Sequence, residues 1–460
     1  MTRNLIFLIF FGFVCFFVSV KDVGAQNYTS RASEDVINYS VSTTSTGPAA
    51  ANTPISLIDA IKAANAYNPR IEAARQQFAV SETDISLAES GKRLSLEATG
   101  SYGYLDQENS FTEADGSSIS GETSNLAINL RQPLFTGYQT RNAVASATAL
   151  AAASKVQIKA IEQQVFLEVA TAYLDVQRDS NTLNLNLENL DTLNDQLEAN
   201  EKRYALKDTS LTDVARSKSA VASALSRIAD ARASFAASRS TFFRLTGLSP
   251  ENLVPLTSDL KGPPTLDVFL EKVLRHNASI IAARHTLEAS DYDVRQAKGA
   301  RLPTIDFNSS LSRNESPQNF GLFSDNRVTT SASANISVRV PIYQAGQEFD
   351  NITRAKQLRR LRQIELTQTT ADIRDDSRIV WDRLISTRAA LASHEEAVRA
   401  AEIAAEGTRK IYRSGLISAI DLIDTEQILL NNKIDFERAK HDHLVTLYTL
   451  LSIMGEISYQ

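Results

Sequence analysis

Cysteine is almost missing from this chain of 460 residues: Cys15 is the single one, and it lies inside an apolar N-terminal run. A chain that sheds that run has no disulfide and no thiol nucleophile. Basic residues are not in excess, with 48 Lys and Arg against 54 Asp and Glu, so no nucleic-acid partner is advertised. Aromatics reach only 7%. Beyond the N-terminus no apolar stretch approaches the roughly 20 residues of a spanning helix, so entry of the mature chain into a membrane requires a β-barrel. There is no glycine-rich phosphate loop and no G-x-S-x-G elbow. The five histidines are His276, His285, His394, His441 and His443. His441 and His443 stand two apart in a helical pattern and face different ways, which argues against a metal pair. The sequence therefore predicts no catalytic, cofactor or metal residues, and no enzyme.

What is present begins with a secretory signal over 1–25. Arg3 supplies charge, Leu5 to Val20 an apolar run, and Val23-Gly24-Ala25 a small-residue cleavage site. That run is short for a retained anchor, and Phe13-Val14 before Cys15 lacks the small residue of a lipoprotein site. Residues 26–54, rich in Ser, Thr and Asn and closed by Gly47-Pro48 and Pro54, read as an extended segment without a core.

The rest is written twice. Tyr204 and Tyr412, Asp213 and Asp421, Gly247 and Gly455, and Pro133 and Pro341 each stand 208 apart, and Asn68 and Asn277 stand 209 apart. The copies cover 55–247 and 264–455, with a linker at 248–263 and a short tail at 456–460. Inside each copy apolar anchors fall every seventh residue: Val176, Leu183, Leu190, Leu197, Tyr204 against Leu384, Leu391, Val398, Ala405, Tyr412. A second series runs Val214, Val221, Ile228, Phe235, Phe242 against Leu422, Leu429, Phe436, His443, Leu450. A seven-residue period keeps one helix face on a partner and supercoils it, so these are coiled-coil helices. The first long helix of each copy is expected from Tyr138 to Glu201 and from Gln347 to Ile411.

Ahead of each long helix the period falls to two. Leu126, Ile128 and Leu130 alternate with Asn125, Asn129 and Arg131; Ala334, Ile336, Val338 and Val340 alternate with Ser333, Asn335, Ser337 and Arg339. Leu94 to Leu105 and Pro303 to Leu311 read as hairpin partners, separated from them by long polar loops holding Asp115-Gly116 and Gly321. Strands of about 9–11 residues are expected, the length that crosses a bilayer tilted. A soluble half-buried sheet shows the same alternation; the signal and the helix length favour the barrel. Four strands cannot close one, and open edges are not tolerated in lipid, so several copies must share it.

At this point the residues carry a resemblance. Gln132-Pro133-Leu134-Phe135 with Gly137, and Val340-Pro341-Ile342-Tyr343 with Gly346, resemble the strand-to-helix junctions of the TolC-like outer-membrane efflux proteins. Tyr412-Arg413-Ser414-Gly415 followed by Ile420-Asp421-Leu422-Ile423-Asp424 resembles their periplasmic tip. The resemblance implies a mainly α protein with a transmembrane β-barrel: a homotrimer with one twelve-stranded barrel in the outer-membrane lipid, continued by an α-helical tunnel across the periplasm. It also implies a periplasmic adaptor, the membrane fusion protein, and an inner-membrane transporter as partners, in drug efflux or type I secretion.

The same match places Asp421, Asp424 and Tyr412 at the gate, with Asp213 and Tyr204 as first-copy counterparts. Ser418-x-x-Asp421 and Ser210-x-x-Asp213 also read as capping boxes, in which the acid satisfies a free backbone N–H. The first-copy counterpart of Asp424 is Arg216, not an acid, so the gate is expected mainly in the second copy. Tyr412 is either a heptad-core aromatic or part of the bonds that hold the tip shut. Ile417 stands where the family's first described members have a basic residue, with Lys207 or Arg413 as candidate substitutes. Two functions follow: a passive outer-membrane duct, or a periplasmic coiled-coil tether without channel activity. Tyr102, Tyr104, Phe135, Phe307 and Tyr343 are the candidate membrane girdle.

Overall fold

A computed structural model describes residues 54–110, 116–256, 262–320, 323–414 and 416–457. The expected signal, Cys15, residues 26–53 of the N-terminal segment, Asp115, Gly321, Gly415 and the last three tail residues lie outside the described residues.

Each copy runs helix, helix, hairpin, long helix, return helix. The first comprises α1 (Leu57–Tyr67), α2 (Pro69–Ser90), β1 (Ser95–Ser110), β2 (Gly116–Phe135), α3 (Gln139–Ala205) and α4 (Leu211–Thr246). The second comprises α5 (Leu266–His276), α6 (Ala278–Gly299), β3 (Thr304–Phe320), β4 (Phe323–Arg339), α7 (Gln347–Arg413) and α8 (Ala419–Met454). Local chemistry sets these ends. Asn68 and Asn277 accept from the first N–H groups of α2 and α6, while Gly247 and Gly455 take the left-handed turn that ends α4 and α8. α3 and α7 each have 67 residues, about 100 Å at 1.5 Å per residue.

The strands form one antiparallel sheet in the order β1-β2-β3-β4. Each is joined to one member of a helical row in which α2 packs on α3, α3 on α6, and α6 on α7. Beyond that row α4 packs on α3, and α8 on both α7 and α3. The main core lies at the middle of α3, where Phe166, Val169 and Tyr173 meet Ile61, Phe242 and Leu444. The hydroxyl of the buried Tyr173 lies 2.9 Å from the Ile55 carbonyl and 2.6 Å from that of Val254, tying both segments to the bundle. Burial pushes its phenol pKa up.

Two expectations are corrected. The strands run 16 to 20 residues, not about ten, and β1 and β3 continue through the stretches expected as polar loops, to Ser110 and Phe320. Ladder bonds use the backbone, so polar residues such as Asp106 and Ser120 pair as well as apolar ones. In the C-terminal half of α3, the buried stripe is Asp179, Asn186, Leu193 and Asn200, not the Leu183 to Tyr204 series, and Tyr204 is 45% exposed. That stripe also repeats every seven residues but is mostly polar, which hides it from an apolar count.

Candidate functional site

The sheet has two chemically distinct faces. Register places Leu96, Ala98, Leu126, Ile128, Leu130, Ile305, Phe307, Leu311, Ile336 and Val338 on one, with Tyr102 and Tyr104 toward the loops. Asn129, Arg131, Asp306, Asn308, Asn335 and Ser337 fill the other, where Arg131 pairs with Asp306 at 3.1 Å and Asn308 donates to Ser337 at 3.0 Å. Apolar side chains predominate in about five cross-strand rows, with Ser309 and Arg313 among them, over roughly the 25 Å band of an outer-membrane barrel. They are open to the surroundings: Leu126 is 65% and Ile336 64% exposed. Among the described residues β1 and β4 each have one unpaired edge.

At the strand exits the chain bends through two successive left-handed residues, Gly137 and Tyr138 in the first copy and Ala345 and Gly346 in the second. Glycine thus occupies the first position of one bend and the second of the other. Pro133 sits at a register shift that turns Phe135 opposite Ile305, onto the apolar face. Pro341 follows the last ladder pair of β4. Neither α3 nor α7 has a side-chain N-cap, because the bend itself starts the helix.

At the opposite end the second-copy tip is bonded to the first. Tyr412 Oη donates to Asn200 Oδ1 at 2.6 Å, Asn200 Nδ2 donates to Ser217 Oγ at 2.8 Å, and Ser217 donates to the Asp213 carbonyl at 3.1 Å. Asn200 is buried. The Arg203 guanidinium lies 5.6 Å from the Tyr412 ring and binds Asp208 at 3.0 Å. Arg203 is therefore a cation beside this tyrosine.

Asp213 and Asp421 both close capping boxes with Ser210 and Ser418. The Ser210 hydroxyl and its neighbours hold the Asp213 carboxyl below the usual range. Asp421 accepts from the Ser418 hydroxyl at 2.8 Å, and Asp421 and Asp424 are both exposed, three residues apart at the start of α8. Each tip hairpin also carries one ion pair at the same repeat position with inverted sign: Glu201 with Lys218 at 3.0 Å, and Arg409 with Glu426, whose second hydrogen bond is 2.7 Å. Sequence reasoning missed both pairs, although their opposite charges at the repeat offset were readable.

Midway along the bundle His441 of α8 is nearly enclosed, with Nε2 2.9 Å from Asp175 and Nδ1 2.9 Å from Asp442. Arg178 joins Asp175 and Asp179 at 2.8 Å each. This ion cluster fixes α8 on α3.

A row of helices continuing an open sheet with one apolar face defines a protomer of a shared-barrel outer-membrane channel. The family model for outer membrane efflux proteins matches residues 60–248 and 269–456, and the chain belongs to that family. It is 26% identical over 402 residues to outer membrane efflux protein BepC of Brucella suis, covering 87% of this chain and 86% of that one. It is 20% identical to outer membrane protein TolC of Escherichia coli, over 76% and 73% of the two chains. The crystal structure of outer membrane protein VceC of Vibrio cholerae superposes with a TM-score of 0.71 at 20% identity, over 87% and 96% of the chains. The protein is thus a transport channel of the outer membrane, not an enzyme.

Proposed function

We propose that three copies of this chain form the exit duct of a tripartite efflux or secretion assembly, conducting cargo passively to the exterior. The observation that carries this is the four-stranded sheet, apolar on one face and unpaired at both edges, with each strand joined to one helix of the row beneath it. Three such sheets closed edge to edge make twelve strands without a free edge in lipid. A periplasmic adaptor and an inner-membrane transporter supply recognition and energy. Heat-resistant trimers in the outer-membrane fraction, conducting in planar bilayers, are the expected result; soluble monomers would favour the tether and sink the duct.

The tip is the gate in this reading. Tyr412 and Asn200 hold it closed, and Asp421 and Asp424 of three copies ring the mouth with six carboxylates, favouring cations. Single-channel recording tests this: Asp421→Ala with Asp424→Ala lowers cation selectivity, and an unchanged selectivity removes the idea. The two copies act as separate repeats with boundaries at 55–247 and 264–455. Cleavage after Ala25 is read by sequencing the N-terminus of the exported protein.

A further inference from the structure

We infer that two grooves flanking Tyr138 bind the phosphate headgroup of an anionic phospholipid of the inner leaflet; this rests on the reading that the sheet crosses the outer membrane. The shift between Pro133 and Phe135 carries Phe135 onto the apolar face, and its ring meets Tyr138 edge-on, 5.2 Å between centroids. Tyr138 therefore stands where the apolar face ends. It and Arg141 wall two adjoining cavities of about 710 and 340 Å³. The larger, between α3 and α6, adds Arg295, Lys298, Tyr292 and Leu302; the smaller, between α2 and α3, adds Lys92, Leu134, Phe135 and Val144.

Four cations and no carboxylate line these two walls. Lys92 is shared with Glu89 at 3.5 Å, but among the described residues no acidic side chain pairs with Arg141, Arg295 or Lys298. Arg295 instead lies 5.2 Å from the Tyr292 ring. Unpaired cations beside tyrosines, directly below an apolar wall, suit a ligand that is anionic at one end and hydrocarbon at the other. A soluble phosphate uses the cations and leaves Leu134, Phe135 and Leu302 unmatched. Both grooves lie between helices of one chain. The edges left to neighbouring copies are those of β1 with α2 and β4 with α7, so the larger groove, between α3 and α6, lies inside the row, while the smaller borders the α2 edge.

Native mass spectrometry of the full-length assembled protein tests this, with phosphatidylglycerol, phosphatidylethanolamine and inorganic phosphate as probes. Phosphatidylglycerol is expected to be retained about tenfold over phosphatidylethanolamine. The variant Arg141→Gln, Arg295→Gln, Lys298→Gln is expected to weaken it roughly 100-fold, about fivefold per cation, whereas Arg354→Gln with Lys356→Gln on α7 changes it less than about twofold. Equal retention of the two lipids, or unchanged binding by the triple variant, overturns the site. Displacement of the lipid by equimolar inorganic phosphate makes it a soluble-anion pocket and overturns the lipid assignment. Protein that inserts and conducts without preferring phosphatidylglycerol overturns this inference alone; protein that neither inserts nor assembles overturns the duct as well.

Discussion

A methyl group on Gly137 would stand 2.6 Å from the Gly299 carbonyl, in a backbone of φ +60. One at Gly346, φ +85, meets nothing within 4 Å. Gly137→Ala is therefore expected to cost about 2–4 kcal/mol, from overlap and left-handed strain together, and Gly346→Ala about 1–2 kcal/mol from strain alone. Denaturant midpoints of the two variants check the order. At His441, burial opposes the charged ring, but the flanking carboxylates Asp175 and Asp442 outweigh it and leave its pKa raised. A raised folded-state pKa gives stability that is fully present below the ordinary histidine value of about 6.5 and is lost as pH rises through the raised one. Asp175 behaves oppositely: burial pushes its pKa up, yet His441 and Arg178 leave it lowered, so its contribution holds above about 3.9 and is lost in acid. The melting-temperature gap between the native protein and His441→Gln is expected to be widest near pH 5–6 and to shrink toward alkaline pH.

Among the elements, the two tip hairpins share a plan and differ in strength. Glu426 is 5% exposed and Arg409 41%, so Glu426→Ala, which strands a partly screened guanidinium, is expected to cost about 1–3 kcal/mol. Lys218→Ala removes an exposed pair and is expected to cost less than about 1 kcal/mol. Hydrogen exchange at the starts of α4 and α8 reads the difference. The long helices were legible in extent, because a seven-residue period marks a continuous helix even where, as in α3, the buried stripe is a neighbouring polar one: Gln347–Arg413 and Gln139–Ala205 end within about four residues of expectation. The strand ends were not legible, since pairing of Asp106 with Ser120 leaves no mark in apolar alternation. Nor was the bond from Tyr412 to Asn200, which joins residues of different copies and rests on a buried polar stripe. The capping acids Asp213 and Asp421 were legible, because a cap is local chemistry.

For the whole molecule, the two faces of one strand give opposite expectations. Ile128→Arg places a charge on the apolar face at an estimated depth cost of about 2–4 kcal/mol, and heat-resistant oligomer is expected to fall. Asn129→Arg, one residue on, faces the other way; oligomer is expected to persist while bilayer recordings shift toward anions. Equal loss of oligomer in both would contradict a barrel. The tether to α3 has its own consequence. Ile55 is held through Tyr173, and Ile457 through Gln163, whose amide donates to the Ile457 carbonyl at 2.8 Å. Both segments thus land on the same stretch of one helix and share its core. In a closed ring the repeats alternate and neither comes first. A chain opened within 257–261, with 457 spliced to 55 by a short linker, keeps every strand neighbour it had, so the order of the repeats along the gene is free to reverse while the channel it encodes stays the same.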